Sequence, residues 1–288
     1  MPVQPADFEA LAAIARRYVL TRDQVHRICF DPKTNQRSTR KRLLRLRNAG
    51  YLNKHAVSVA LPETNGAAPV YYPTKPGCQA LASYFDDERF AACITRTPRA
   101  DRLAHWIAIN NTRIVIEQAI AQQDEAQLEG WITEYEVINK DAAKPNQFVL
   151  QTQLGVDPPL SCSPDAAFLL SVRGVKKVFY LEEDRATSSP HQIAARKSKG
   201  YATLAERQIH KTHFPDTTTD RFSILLVTTS DYRCKETAKA MKQQQRNDLW
   251  LYINNKKLTP ESFLHEPIVM NHDGEVGPLL KPIRSANS

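Results

Sequence analysis

Long apolar runs and paired cysteines are missing from this chain of 288 residues. Without about 18 consecutive apolar residues, no segment is predicted to span a membrane, and the first residues lack the basic stretch and apolar core of a secretion signal. The five cysteines are odd in number and include no CxxC pair, so neither a zinc ribbon nor a redox motif is predicted. Free thiols are typical of a reducing compartment, and we expect a cytoplasmic protein.

The positive charge is concentrated at one end of the chain. Residues 1–60 hold 12 lysines and arginines against 4 acidic residues, a net of +8, whereas residues 61–288 hold 27 of each. A basic stretch within a segment that folds is typical of a phosphate-binding surface. A solvated face without a partner would more often be charge-mixed, as the rest of this chain is.

Three helices are predicted in the basic segment. The first is indicated by apolar residues at helical spacing, namely Phe8, Leu11, Ile14, Ala15 and Tyr18. Thr21 and Gln24 then form a capping-box pattern that begins the second helix. Ser38 is the expected cap of the third helix, and Gly50 suits its left-handed end.

A hairpin and a closing helix follow the third helix. Residues 51–61 and 70–74 are predicted as strands around a turn within residues 62–69, and Thr74 and Pro76 suit the start of a helix over residues 74–85. The order helix, helix, basic helix, hairpin, helix is that of a winged helix. We therefore expect a winged helix-turn-helix DNA-binding domain over residues 1–85, followed by a linker over residues 86–100.

The third helix holds six basic residues in eleven positions. A helix fits the major groove, and arginine can grip guanine or a phosphate. We expect base contacts from Thr39, Arg40 and Arg42 near the helix start, and phosphate contacts from Arg45 and Arg47. The full predicted DNA-binding set is Arg37, Ser38, Thr39, Arg40, Lys41, Arg42, Arg45 and Arg47. The alternative, surface arginines that only keep the chain soluble, stays open.

Residues 101–260 are predicted to form a second domain, with a tail over residues 261–288. The predicted order α-β-β-β-α-β-α-β implies a mixed sheet covered by helices on both faces. This order resembles the restriction-endonuclease-like, or PD-(D/E)xK, nuclease fold. His105, on the long first helix of this domain, is a candidate for an extra acid or base, against the alternative that it is structural.

An acidic motif spans two of the predicted strands. Asp165 begins one strand, and Glu182 and Asp184 end the next, seventeen residues on, so a tight hairpin can bring the three carboxylates together. They would form an oxygen-ligand site for Mg²⁺ or Mn²⁺, which can generate hydroxide near neutral pH. The lysine of the nuclease pattern is replaced here by Asp184, and Lys197 on the following helix could supply the ammonium instead. Alternatively, the acids pair with Arg185 and nearby lysines, and Lys197 is merely solvated.

The chain as a whole resembles the replication-relaxation family of plasmid and mobile-element proteins. The resemblance is carried by the stretches TRDQVHRICF, RLRNAGYL, YPTKPG, PDAAF, FYLEEDRATSS and KSKGY, which lie between about residues 8 and 205. It implies a role in plasmid replication or DNA relaxation and kinship with MobC-type relaxases. It also implies metal and catalytic roles for Asp165, Glu182, Asp184 and Lys197.

The sequence suggests a leading function, an alternative and a third function that is disfavoured. The leading one is a DNA-nicking or DNA-relaxing protein that recognises double-stranded DNA at a plasmid origin or transfer site and hydrolyses one strand with Mg²⁺ or Mn²⁺. The alternative is a replication accessory factor or repressor whose nuclease-like domain has no chemistry, and Asp184 in place of lysine favours it. A tyrosine-nucleophile relaxase is disfavoured, because the eight histidines include no HxH or HxxxH pair. Whether the chain forms a homodimer stays open.

Overall fold

The computed structural model describes residues 2–30, 34–56, 59–61, 66–139, 142 and 147–281. The chain forms two compact units, Met1–Ile114 and Val115–Ser288. The boundary between them falls inside a helix, α5 (Ala100–Ala121). In the described part of the chain, no helix combines the length and apolar character that are needed to cross a bilayer.

Three helices open the first unit, and they are α1 (Pro5–Ala15), α2 (Arg22–Cys29) and α3 (Arg37–Asn48). The predicted capping box is confirmed, because the Thr21 hydroxyl accepts a hydrogen bond from the Gln24 N–H at 3.2 Å and the Thr21 N–H donates to the Gln24 side chain at 2.9 Å. Ser38 is not the cap of α3, because the helix begins at Arg37 and Gln36 occupies the cap position. Gly50 has a φ of +74°, as its predicted place at the end of α3 requires.

The described part of the first unit also contains five short strands and a further helix. The strands are β1 (Leu20–Thr21), β2 (Leu52–Lys54), β3 (Val59–Leu61), β4 (Gly66–Ala68) and β5 (Val70–Pro73). Strands β1, β5 and β2 form an antiparallel sheet in that order, and β3 pairs with β4. The expected turn falls in part on residues 62–65, which lie outside the described residues. Helix α4 (Lys75–Phe85) is capped as predicted, since the Thr74 hydroxyl accepts from the Gly77 N–H at 3.1 Å.

Residues 86–100 do not form the predicted linker, because they pack into the first unit. Phe90, on a short 3-10 helix (Glu88–Phe90), is 3% exposed and lies in the apolar core with residues of α1, α2 and α3. The Tyr18 hydroxyl donates to the Arg96 carbonyl at 3.0 Å, and the His55 ring bonds the Pro98 carbonyl at 3.0 Å. These long-range contacts leave no periodic pattern in the sequence, which is why the segment resembled a connector.

Nine strands are found among the described residues of the second unit. They are β6 (Ala126–Thr133), β7 (Thr152–Gly155), β8 (Leu160–Cys162), β9 (Ala166–Val172), β10 (Val175–Asp184), β11 (Ser223–Thr228), β12 (Trp250–Asn254), β13 (Val269–Met270) and β14 (Val276–Gly277). Seven of them form one sheet in the order β14-β13-β12-β11-β10-β9-β6, and β7 pairs with β8. Strands β10, β11 and β12 run parallel, and the other neighbours in the sheet are antiparallel. The predicted mixed α/β class is confirmed.

Helices connect the parallel strands. Helix α6 (Pro190–Glu206) and the short α7 (His210–His213) lie between β10 and β11, and α8 (Asp231–Met241) lies between β11 and β12. Because α6 and α8 pack against each other, they cover the same face of the sheet. The buried rings of Tyr180, Tyr201 and Trp250 lie in the core that includes this face.

Short strands add two features to this unit. Residues 261–288 are not only a tail, because β13 and β14 extend the sheet beyond β12. The segment before Asp165 contains a further short strand, β8, which pairs with β7. Strands of two or three residues are too short to show an alternating pattern, so only their pairing partners reveal them.

Candidate functional site

The outer side of α3 carries the exposed part of the predicted DNA-binding set. The exposed members are Arg37, Ser38, Arg40, Lys41 and Arg47. They include four cations and no acid, and α3 has no acidic residue in its first turn. This side of the helix therefore offers a continuous positive surface to solvent.

Three members of the predicted set face the interior instead. The Thr39 side chain is fully buried, and its hydroxyl bonds the His26 ring at 2.9 Å. Arg42 lies over the Phe30 ring at 4.4 Å and is only 15% exposed. The prediction of base contacts from Thr39 and Arg42 is therefore corrected, because both side chains already have partners inside the unit.

Arg45 is also committed to an internal partner. It donates two hydrogen bonds to the carboxylate of Asp7 on α1, at 2.9 and 2.6 Å, and Arg42 approaches the same carboxylate at 3.3 Å. Burial alone would raise the pKa of Asp7, but the bonds from Arg45 and from the Gln4 N–H outweigh it, so the pKa is lowered. Because the Asp7 side chain is fully buried, Arg45 stabilises the fold, and its predicted phosphate contact is corrected.

A second group of polar residues lies where β9 begins and β10 ends. Leu181 pairs with Ala166 in the antiparallel ladder, so Asp165 and Glu182 are the next cross-strand neighbours. The Asp165 N–H donates to the Leu181 carbonyl at 3.1 Å, and the Asp165 carboxylate accepts from the Glu183 N–H at 2.8 Å. The hairpin thus brings Asp165 beside Glu182, as the sequence predicts.

Helix α6 supplies a cation to this pair of acids. The Lys197 ammonium lies 2.9 Å from Oε1 and 2.8 Å from Oε2 of Glu182, and it also donates to the Ser163 carbonyl at 3.2 Å. The Tyr201 hydroxyl, one turn further along α6, donates to Glu182 Oε1 at 2.6 Å. The helix therefore delivers both groups to one buried carboxylate.

Burial shifts the pKa of Glu182 and the pKa of Lys197 to different net results. Burial raises the pKa of Glu182 to about 7, the Asp165 charge adds to the rise, and Lys197 opposes it. Burial alone would lower the pKa of Lys197, but Glu182 and Asp165 outweigh it and the pKa is raised. Lys197 therefore stays charged at neutral pH, and Glu182 is the group that titrates.

Asp184 shares the helix-covered face with Glu182 but has different partners. Its Oδ2 accepts from Arg233 Nε at 2.7 Å and from the Thr228 hydroxyl at 3.0 Å, and its Oδ1 accepts from Arg233 Nη2 at 3.1 Å and from the Ala186 N–H at 2.9 Å. Arg233 also donates to the Ser188 carbonyl. Both oxygens of Asp184 thus have partners within the chain, and its place in a metal shell stays a prediction.

His105 lies on the part of α5 that belongs to the first unit, so its catalytic role stays a prediction. Arg233 was not predicted as a site residue, and the sequence signal that could have indicated it is weak. Ser230 caps α8 by accepting from the Arg233 N–H at 3.1 Å, which places a cation in the first turn of a helix just after a buried strand.

Asp165 and Glu182 have the chemistry to hold a divalent cation. Carboxylate oxygens are hard ligands of the kind that Mg²⁺ and Mn²⁺ prefer. The raised pKa of Glu182 shows that burial and the Asp165 charge penalise a second negative charge there, and a bound cation would offset that penalty. The residues present therefore have the ligand chemistry for such an ion, and Lys197, which contacts both oxygens of Glu182, would have to give up one of these contacts to admit it.

Comparison with known proteins gives one match. A family model described as replication-relaxation matches residues 11–217, which include both the α3 surface and the acidic pair. No curated protein and no solved structure matches the chain.

Proposed function

Because the chain belongs to the replication-relaxation family, which points to a role in replication or DNA processing of plasmids or mobile elements, we propose that it binds double-stranded DNA and cuts one strand by metal-dependent hydrolysis. The first unit acts as a winged helix-turn-helix domain, and the second acts as a PD-(D/E)xK-like nuclease domain. The DNA is a plasmid or mobile-element site such as an origin.

The outer side of α3 supports the DNA-binding half of this proposal. Its four exposed cations are Arg37, Arg40, Lys41 and Arg47. A helix of this kind fits the major groove, and the strands β2 to β5 follow it in the order of a wing. Each phosphate neutralised adds about −0.9 to the slope of log affinity against log salt. We expect four such contacts to give a slope of roughly −3 to −4.

The observation that carries the nuclease half is the contact of Lys197 with Glu182 beside Asp165. Asp165 and Glu182 would hold Mg²⁺ or Mn²⁺, which supplies a water of lowered pKa and offsets phosphodiester charge when bound. Lys197 donates hydrogen bonds to the scissile phosphate and stabilises its developing negative charge. Tyr201 holds the Glu182 carboxylate, and Asp184 with Arg233 fixes the end of β10.

Plasmid nicking tests the proposal directly. The full-length protein should convert supercoiled plasmid to open circle in Mn²⁺ or Mg²⁺ but not in EDTA. Asp165→Asn should reduce the rate by at least about a hundredfold, which is within the range that single catalytic groups contribute. Glu183→Gln is the matched control, since its side chain alternates to the other face of β10. If Asp165→Asn nicks as fast as the parent protein, the proposed site is wrong.

A second candidate is a DNA-binding protein without chemistry, acting as a replication accessory factor or repressor. It is favoured by the partners of the acids, because both oxygens of Glu182 already contact Lys197 and both oxygens of Asp184 contact Arg233. For this candidate, the protein should retard plasmid DNA in a mobility-shift assay and leave it supercoiled in Mn²⁺. Asp165→Asn would then change neither result.

A further inference from the structure

An apolar side chain lies at the centre of the cationic side of α3. Leu44 is 53% exposed, although α3 also buries Leu46 almost completely. At 100° per residue the two leucines point in nearly opposite directions. Arg40 and Lys41 lie one turn before Leu44 and Arg47 lies one turn after it, and all three are exposed. Leu44 is therefore surrounded by cations on the surface that we propose to face DNA.

Leu44 is unusual among the described residues of the first unit. The other large apolar side chain that is exposed there, Tyr84, stacks on Phe8 with ring centroids 4.1 Å apart. The centre of a protein–protein interface is an apolar patch, and a single leucine ringed by cations does not form one. It fits a surface that is anionic at its edges and has an isolated apolar group between them.

The major groove of DNA is such a surface. Phosphates line both of its edges, and the only apolar group that the four bases present there is the C5-methyl of thymine. A leucine can contact that methyl but cannot form the hydrogen bonds that the other base edges offer. The chemistry of Leu44 therefore selects one base.

We propose that Leu44 determines sequence specificity by packing against a thymine methyl group in the major groove. This inference rests on the proposed binding of DNA through α3. The cations around Leu44 hold the duplex by its phosphates, and Leu44 adds a preference for thymine at the base pair that it faces.

The test uses a duplex that the full-length protein selects from a random-sequence library. Each thymine of that duplex is replaced in turn by uracil, which removes only the methyl group. The wild-type protein should lose affinity about fourfold at one position, as expected for one buried methyl. Leu44→Ala should bind the thymine duplex more weakly and show no difference between thymine and uracil at that position.

A matched variant separates reading of the base from general attraction. Arg47→Ala removes an exposed cation one turn away, for which a phosphate contact is predicted, so it should weaken binding to the thymine and uracil duplexes equally and keep the fourfold difference. If the wild-type protein binds with a steep salt dependence but tolerates uracil everywhere, or if Leu44→Ala keeps the difference, this inference is overturned and DNA binding stands. If the protein selects and binds no duplex, the DNA-binding proposal fails, and this inference fails with it.

Discussion

Two arginines two positions apart on α3 should behave in opposite ways when each is replaced by alanine. Arg45 donates two hydrogen bonds to the fully buried carboxylate of Asp7, whereas Arg47 is exposed. Arg45→Ala should lower the free energy of unfolding of the first unit, and Arg47→Ala should leave it almost unchanged. Affinity for DNA should fall in Arg47→Ala.

The expected size of the Arg45 effect follows from the partners that remain. Removing one member of a buried ion pair costs about 3–5 kcal/mol, because the other charge stays buried and unpaired. Asp7 would still accept from the Gln4 N–H at 2.9 Å and would still have Arg42 at 3.3 Å. We therefore expect about 2–3 kcal/mol, at or below the lower end of that range. For a unit of this size, that loss of unfolding free energy corresponds to a fall in Tm of roughly 6–12 °C.

Differential scanning calorimetry of the full chain measures this effect, and Arg47→Ala is the control of matched residue type and helix. The double mutant Arg45→Ala with Asp7→Ala supplies the coupling energy. It should lose less unfolding free energy than the sum of the losses in the two single mutants. If Arg45→Ala and Arg47→Ala unfold at the same temperature, the internal role of Arg45 is refuted.

Three further predictions concern the stability of the two units. Asp184→Ala should lower the free energy of unfolding by about 3 kcal/mol, because Arg233 keeps a charge that is only 14% exposed. In urea denaturation, the loss in Asp184→Ala should exceed the loss in Asp165→Ala. Gly77→Ala should cost about 1–3 kcal/mol, since the new methyl would overlap the Tyr51 carbonyl oxygen, and an unchanged Tm would contradict this packing. Burial and His210 lower the pKa of His213 from 6.5 to about 4. The free energy of unfolding should therefore have its full value above pH 6.5 and fall by about 1–3 kcal/mol as the pH is lowered towards 4. His213→Gln should flatten that pH dependence.

Local sequence signals predicted the elements that hold the site. The Thr21 capping box, the hairpin of β9 and β10, and the alternation that places Glu182 and Asp184 on one face all depend on residues close together in the chain. Each is set by backbone geometry with a period of 3.6 or 2, which can be read without knowing the fold. The approach of Asp165 to Glu182 follows from the same hairpin.

Partners that lie far apart in sequence could not be predicted in this way. Asp7 and Arg45 are 38 positions apart, and Asp184 and Arg233 are 49 apart, so only the packing of their helices brings them together. One signal was available for Arg42, which lies one turn before the buried Leu46 and therefore on the inner side of α3. The number of arginines in α3 therefore overestimates how many of them are exposed for contact with DNA.

Binding of Mn²⁺ to the acidic pair tests the central claim most directly. The loss of the free Mn²⁺ signal in electron paramagnetic resonance should be followed at pH 8, where Glu182, with a pKa of about 7, is mostly ionised. We expect one ion per chain for the wild-type protein and for Glu183→Gln, and at least about tenfold weaker binding for Asp165→Asn and Glu182→Gln. Absence of binding to the wild-type protein, or equal binding by all four proteins, would contradict a metal site at Asp165 and Glu182.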